Sequence, residues 1–319
     1  MSHEIKSMAY VNAAPWHGLG NLLAPKQSIE VWANQAGMSF RILEAPVRYN
    51  AKSPGMPTGM MSFPKQKVLY RSDSRIPLSV VSDRFLVVQP REILEFYRDL
   101  TEVSGFELET AGVLKSGRKL WALAKTGQSG SLKGGDSMQG YLLLATACDG
   151  TLATTAQFTS IRVVCANTLA IALGNGVGAV KVPHNTKFDP QVVKKQLGIS
   201  ASSWDSFMYR MKTLSERKVK PQEATNYFLR VFKDGIEPAI QPGQERTLKA
   251  VQAMYEGAAK GSDLASASRT AWGLVNAVTE YVDHQRRARS TDHRLDSAWF
   301  GQGAALKQKA LHQALMMAS

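Results

Sequence analysis

The sequence has 319 residues and carries 39 Lys plus Arg against 26 Asp plus Glu, a formal net charge of +13. It is long enough for one large domain or two smaller ones, and no run of about 18 apolar residues predicts a membrane span. Its beginning lacks the basic and then apolar pattern of a secretory signal. Its two cysteines, Cys148 and Cys165, are too few for a disulfide framework. We therefore expect a cytoplasmic protein.

The residue patterns in the first half of the chain predict β-hairpins and a few helices. A helix is predicted over residues 27–36, where Ser28 is a suitable N-cap, and a second over 90–104, where apolar residues recur on one side. Residues 39–49 have a strand-like composition. The predicted hairpins pair 68–70 with 76–82, 106–114 with 119–125, and 141–147 with 151–158.

Other segments of this half have turn-like or helical patterns. Prolines and glycines predict a loop over 50–64, and glycines and serines predict another over 127–135. A helix is predicted over 164–173, ending at Gly174. Asp149 and Gly150 join the third hairpin, because an Asp-Gly pair favours a tight turn.

From residue 190 onward the pattern is helical. The predicted helices cover residues 190–197, 203–216, 221–234, 245–259 and 265–289. The fold class predicted from these elements is α+β, with antiparallel β-hairpins carrying helices on one face and a helical C-terminal part. The predicted division is a β-rich core domain over 1–188 and a helical region over 189–319.

Motifs for catalysis are weak. The six histidines form no HExxH pattern and no zinc-type spacing. The glycines of residues 174–178 follow a predicted helix and precede an extended segment, which favours helix termination over a phosphate-binding loop. Cys165 lies among apolar residues, which raise a thiol pKa rather than activate it. We expect no catalytic centre, no metal and no cofactor, and non-enzymatic function is favoured over an enzyme.

Basic residues recur at the predicted hairpin tips. Lysine and arginine bind phosphates, and aromatic rings stack on unpaired bases, although each aromatic residue has burial in the core as its alternative. The candidate nucleic-acid-binding residues are Arg71, Arg75, Arg84, Lys115, Arg118, Lys119, Arg162, Lys181, Trp121 and Phe158. A solvated basic surface is the alternative interpretation of the charge.

Four ordered segments carry a resemblance to a known family. They are residues 15–20 (PWHGLG), Asp149-Gly150 followed by 161–169 (IRVVCANTL), 270–284 (TAWGLVNAVTEYVDH), and 299–303 (WFGQG) followed by Lys307. Together they resemble the phage/plasmid-like protein family, domain of unknown function 932, over nearly the whole chain. The resemblance implies a mobile-element setting and no stated activity. Members often have histidine where this chain has Cys148, so a metal or proton-transfer role resting on that histidine does not carry over.

The predicted architecture also resembles, more loosely, that of single-strand annealing proteins, which form rings or filaments and hold single strands in a basic groove. This likeness is one of fold alone. The leading hypothesis is a protein of a phage or plasmid that binds single-stranded DNA and promotes annealing or recombination as a homo-oligomer, away from membranes.

Two alternatives stay open. The first is an enzyme acting on nucleic acid or nucleotides, centred on Asp149, Arg162 and Asn167. The second is an interaction protein whose basic surface meets an acidic host protein. A separate prediction concerns Trp272, Asn276 and Tyr281, whose spacings of four and five allow them to share a helix face, packed in the core or at a subunit contact.

Overall fold

A computed structural model of the chain describes residues 8–12, 20–52, 54–55, 58–171, 179–197, 201–232 and 242–319. The first resemblance segment, apart from Gly20, and the glycine-rich stretch 174–178 lie outside these residues.

Within the described residues the chain forms eleven strands and nine α-helices. The strands are β1 (Met8–Val11), β2 (Asn21–Leu23), β3 (Ile42–Ala51), β4 (Gly59–Arg71), β5 (Pro77–Ser82), β6 (Glu107–Leu114), β7 (Lys119–Leu132), β8 (Asp136–Ala147), β9 (Thr154–Arg162), β10 (Asn167–Ala170) and β11 (Ala179–Val182). The helices are α1 (Ile29–Gln35), α2 (Pro90–Ser104), α3 (Pro190–Leu197), α4 (Ala201–Glu216), α5 (Pro221–Phe232), α6 (Pro242–Ala253), α7 (Ala271–Glu280), α8 (Thr291–Phe300) and α9 (Gln302–Ala318).

The strands form two sheets. The large sheet has the order β10-β9-β8-β7-β6-β1-β2, and β11 pairs with the part of β9 that β10 leaves free. All its pairings are antiparallel except β1 with β2. The small sheet has the antiparallel order β3-β4-β5. The predicted α+β class, with antiparallel sheets and a helical C-terminal part, is confirmed.

Helix starts follow local signals. The Ser28 hydroxyl accepts from the Val31 N–H at the start of α1. At the start of α2, Gln89 and Glu92 form a capping box, and Pro90 occupies the first turn, where its missing N–H costs nothing. These signals are local, and the bounds of α2 agree with the predicted 90–104.

Three predicted segments in the first half of the chain differ from the structure. The predicted loops 50–64 and 127–135 contain the beginning of β4 and the end of β7. Proline is tolerated in β4 because Pro64 lies at a shift in the β3–β4 register, where a ladder hydrogen bond is not required. The prediction of a helix over 164–173 is wrong for its described part. A turn there leads into β10, which pairs with β9.

The large sheet is covered on both faces. Side chains alternate along a strand, so Leu120 and Ala122 of β7 join the main core with Tyr97 of α2, whose hydroxyl donates to the Ala122 carbonyl. Trp121 and Leu123 point the other way, into a second cluster with Leu295, Trp299 and Phe300. The α2 helix covers one face and α8 of the helical C-terminal part covers the other, so the run at 119–124 is buried along its whole length. The division into 1–188 and 189–319 stays a prediction.

Candidate nucleic-acid interface

Three hairpin connections meet at one end of the two sheets. The Arg71 guanidinium, at the end of β4, donates to the Ser116 carbonyl in the β6–β7 connection at 3.3 Å. The Ser79 hydroxyl of β5 donates to the Cys148 carbonyl in the β8–β9 connection at 2.5 Å. The Cys148 N–H in turn donates to the Arg118 carbonyl at 2.8 Å. We call these three connections together, residues 72–76, 115–118 and 148–153, the loop end.

Turn chemistry fixes these connections. Gly117 has φ +113° and its Cα lies so close to Arg71 and Leu78 that a Cβ would contact them at 3.2 Å. In the β8–β9 connection, the Asp149 carboxylate accepts from the Thr151 N–H and hydroxyl. The absence of a side chain at Gly117 therefore allows the β6–β7 connection to lie close to Arg71 and Leu78. The Asp149 side chain forms its hydrogen bonds within its own turn.

His184 extends the loop end toward β11. Its two ring nitrogens lie 3.1 Å from the Leu86 carbonyl and 3.0 Å from the Leu152 carbonyl, and its ring stacks on Phe85 at 4.2 Å. These contacts join the segment after β5 to the β8–β9 connection. Arg84 lies two residues before Leu86, so it follows β5 on the segment that His184 connects to the β8–β9 connection, while Arg75 precedes β5.

Four of the predicted cations are exposed: Arg75, Arg84, Arg118 and Lys181. In the described part of the chain no ion pair neutralises them. We call Arg75, Arg84 and Arg118 the loop-end cations. Two exposed acids lie within two residues of these cations in sequence, Asp83 and Asp73, and Asp73 is paired with Arg71, so the loop-end cations outnumber the unpaired acids beside them.

Two further predicted cations form ion pairs. Arg71 is half-buried, bonds both oxygens of Asp73 and lies 3.7 Å from the centroid of the Phe40 ring. Arg71 also holds the pKa of Asp73 down at about 2, mainly through their hydrogen bond. Lys115 is half-buried and pairs with Asp296 of α8. Both side chains hold the hairpin tips in place.

The remaining predicted residues are buried. Lys119 pairs with Asp296 in the interior. Trp121 is 1% exposed and Phe158 7% exposed, on opposite faces of the large sheet. Neither ring is exposed enough to stack on an unpaired base in this structure. Both side chains belong to the core, which was the alternative interpretation of each aromatic residue.

Arg162 lies at the opposite end of the sheet. It donates from Nε and Nη2 to the two carboxylate oxygens of Asp136 at 2.7 and 2.9 Å, in full burial. The same carboxylate accepts from the Ser266 hydroxyl and the Trp272 indole. Arg162 also donates to the Gly261 carbonyl at 2.9 Å. This network fastens the helical part to the sheet.

The residues of the alternative catalytic centre are not brought together. Asp149 precedes β9 and Arg162 ends it, so a strand of about 26 Å lies between them at ~3.3 Å per residue. Asn167 begins β10, beside Arg162. Its amide donates to the Asn276 carbonyl, and its oxygen lies 3.1 Å from His284 Nε2. Asn167 therefore joins the sheet to the segment that follows α7.

A second buried pair joins α9 to the sheet. Lys307 Nζ donates to the Asp283 carboxylate at 2.7 Å and to the Thr168 hydroxyl at 2.6 Å. The other oxygen of Asp283 accepts from the Thr168 N–H. Three of the resemblance segments, 161–169, 270–284 and 299–303 with Lys307, thus meet in one region. The order of these segments in the sequence does not by itself predict that they lie together in space.

Trp272 and Asn276 are both buried in α7, and the Asn276 amide donates to the Trp272 carbonyl. Tyr281 follows α7 and is half-buried, with an edge contact to the Phe232 ring at 5.8 Å. The predicted packing in the core is confirmed for Trp272 and Asn276.

A cleft of about 700 Å³ borders the loop end at Leu152. Its walls are one face of β9 to β11 and the junction of α8 with α9, which includes Trp299 and Phe300. The cleft residues other than Lys181 were missed by sequence reasoning. The signal that pointed toward them was the resemblance segment at 299–303.

Other site types find no support among the described residues. No three His, Cys, Asp or Glu side chains there are grouped so that they could hold a metal ion. Over the same residues, no helix has the length and apolar character needed to cross a membrane.

Residues 77–299 match the family model described as Domain of unknown function (DUF932). Neither the curated proteins nor the solved structures contain a match to this chain.

Proposed function

The chain belongs to the family of domain of unknown function 932, and from its own geometry we propose that it binds single-stranded DNA. The proposed role is to promote annealing or recombination for a phage or plasmid in the host cytoplasm, as a homo-oligomer and without a catalytic centre. The observation that carries the proposal is that Arg75, Arg84 and Arg118 are exposed and lie on segments that hydrogen bonds join to one another at the loop end.

The physical basis is counterion release. Cations that are neither buried nor paired can exchange hydration for phosphate contacts at little cost, and each neutralised phosphate releases condensed counterions. Arg75 and Arg118 satisfy this condition, whereas Arg162 and Lys119 are committed to Asp136 and Asp296. The loop-end cations can therefore bind phosphate, whereas the interior cations are already paired with carboxylates.

An unpaired strand is favoured over a duplex by what lies beside these cations. The loop end borders the cleft at Leu152, and Trp299 and Phe300 line that cleft. A duplex keeps its bases stacked on each other, while a single strand can turn bases into a cleft of this kind. Charge provides affinity here and the cleft provides the preference for single strands.

The test compares binding of a labelled single strand and the matching duplex by fluorescence anisotropy at several salt concentrations. The triple variant Arg75→Ala, Arg84→Ala, Arg118→Ala should bind the single strand at least ~10-fold more weakly, with a log–log salt slope smaller by about 2. The matched control removes Lys133, Arg210 and Lys212. These exposed cations lie at or near the opposite end, since Lys133 is in the β7–β8 turn and α4 packs by Met208 against Gly130.

The control triple should bind as the parent protein does, and the parent should accelerate pairing of complementary strands. Equal weakening by both triples would show a diffuse surface effect and reject the loop end as the binding surface. Equal affinity of the parent for single and double strands would reject the single-strand assignment.

A further inference from the structure

The cleft beside the loop end has the size of a small-ligand site. Its volume of about 700 Å³ lies within the roughly 300–1,000 Å³ of such sites. One wall belongs to the sheet and the other to the α8–α9 junction, so the cleft is open between two rigid elements. Leu152, which the His184 ring contacts through its carbonyl, stands at the edge toward the loop end.

The sheet wall is polar. Alternate residues of β9 line it, including Thr155, Gln157 and Thr159, while Ala156 and Phe158 point to the core. The two threonine hydroxyls donate to backbone carbonyls and keep lone pairs for a ligand donor. Gln157 is half-buried, and its amide has no hydrogen-bond partner among the described residues. An amide in that position offers both a donor and an acceptor to the cleft.

The helix wall combines aromatic and small residues. Trp299 and Phe300 lie at 6.1 Å and 84° to each other, and Trp299 is held by an edge contact with Trp121 at 4.9 Å. Gly301 and Ala304 follow them on this wall and leave the cleft wide. The wall therefore presents rings fixed in orientation, which reduces the entropy that a stacking ligand must overcome.

The charge of the lining is positive. Among the described residues that line the cleft, two are lysines and none is Asp or Glu. Lys307 is buried and bonded to Asp283 and Thr168, so its charge is already compensated. Lys181 on β11 is exposed and unpaired within the described chain. An anionic ligand is therefore favoured, with its charge at Lys181.

We propose that this cleft is a nucleotide-binding site, with the base between the polar strand wall and the rings of Trp299 and Phe300 and the phosphate at Lys181. Gln157 supplies the amide that can pair with a base edge. The inference rests on the proposed function for the source of the nucleotide, a unit of the bound strand. A free nucleoside monophosphate presents the same chemistry.

Ala304→Phe tests the site by filling the cleft from the helix wall. His312→Phe is the matched control, because it adds the same ring to an exposed position of α9 outside the cleft. Lys181→Ala and Gln157→Ala provide milder variants if Ala304→Phe does not fold as judged by circular dichroism. The probes are an oligonucleotide containing 2-aminopurine, whose fluorescence falls on stacking, and free thymidine monophosphate measured by calorimetry.

The parent and His312→Phe should quench the 2-aminopurine strand, and Ala304→Phe should lose the quenching and bind about 10-fold more weakly. Lys181→Ala should weaken binding in the same direction. If DNA binding still depends on the loop-end cations while Ala304→Phe quenches like the parent, the cleft proposal fails and the proposed function stands. If thymidine monophosphate binds in a cleft-dependent way and no strand binds, the nucleotide site stands and the proposed function fails.

Discussion

Arg162 and Asp136 form a bidentate ion pair in the interior, with two N–H···O contacts of 2.7 and 2.9 Å. The pair closes the end of the large sheet remote from the loop end, where β9 ends and β8 begins. Burying two charges is costly unless each is matched by good geometry and further hydrogen bonds. Ser266, Trp272 and the Gly261 carbonyl provide those bonds, so the pair sets how the helical part sits on the sheet.

Replacing Arg162 with alanine should therefore lower the free energy of unfolding by about 3–5 kcal/mol, because Asp136 would be left buried without its counter-charge. Urea denaturation measures the change. Lys67→Ala is the control, since the Lys67–Glu44 pair is partly exposed and should contribute less than about 1 kcal/mol. An Arg162→Ala protein of parental stability with weakened DNA binding would return Arg162 to the DNA-binding surface.

Two buried tryptophans, Trp272 and Trp121, should respond differently to loss of the indole N–H. Trp272 Nε1 donates to Asp136 at 2.9 Å, while Trp121 Nε1 has no partner among the described residues. Trp272→Phe should cost about 1–3 kcal/mol more than Trp121→Phe, because only the first leaves a buried carboxylate short of a donor. Parallel urea titrations of the two variants decide this, and equal losses would mean that the indole bond adds nothing to the ion pair.

Much of the local structure follows from sequence signals. The α2 helix could be predicted because its capping box, its first-turn proline and its apolar side are all within fifteen residues. The hairpins around 71–75 and 115–118 could be predicted because their turns separate strand-like runs. Because turn residues lie at the surface, the exposure of Arg75 and Arg118 at those tips could be predicted as well.

Non-local pairing explains what could not be predicted. The β10 strand was predicted as helix because its apolar residues suit either structure, and only the pairing with β9 decides. Arg162 was predicted at the surface because its partners Asp136 and Trp272 are remote in sequence. Asp296 of α8 forms ion pairs with both Lys115 and Lys119, and local patterns did not predict that helix. The cleft combines strand and helix residues from separate parts of the chain, so no single motif contains it.

Both thiols should react slowly in the folded protein. Burial raises the pKa of Cys148 to about 12, with a further contribution from Asp149, and burial raises the pKa of Cys165 to about 11. From an ordinary value of 9.0, the Cys165 shift lowers the thiolate fraction at pH 8 about 100-fold. Labelling with a chromogenic disulfide should be at least that much slower in the native protein than in guanidinium chloride, where both thiols react. Rapid native labelling of Cys165 would mean that its surroundings open readily.

The stability of the fold should also depend on the protonation of Glu280. Burial raises the pKa of this carboxyl above its ordinary 4.5, and His284, Asn167, Lys260 and Arg162 offset part of the rise. One of its oxygens has no hydrogen-bond partner among the described residues. Because the folded state then binds the proton more tightly than the unfolded state, the contribution of Glu280 to stability falls as pH rises from about 4.5 through the folded-state pKa.

Glu280→Gln removes this titration while keeping the side-chain shape. The variant should be more stable than the parent at pH 7, and the difference should shrink as the pH is lowered to 4, as measured by urea denaturation at both pH values. Glu107→Gln, at an exposed position, is the control and should show little change at either pH. A Glu280→Gln protein less stable than the parent at pH 7 would show instead that the ionised carboxylate makes a favourable contact with His284 or Lys260, and the sign of the pH dependence would then reverse.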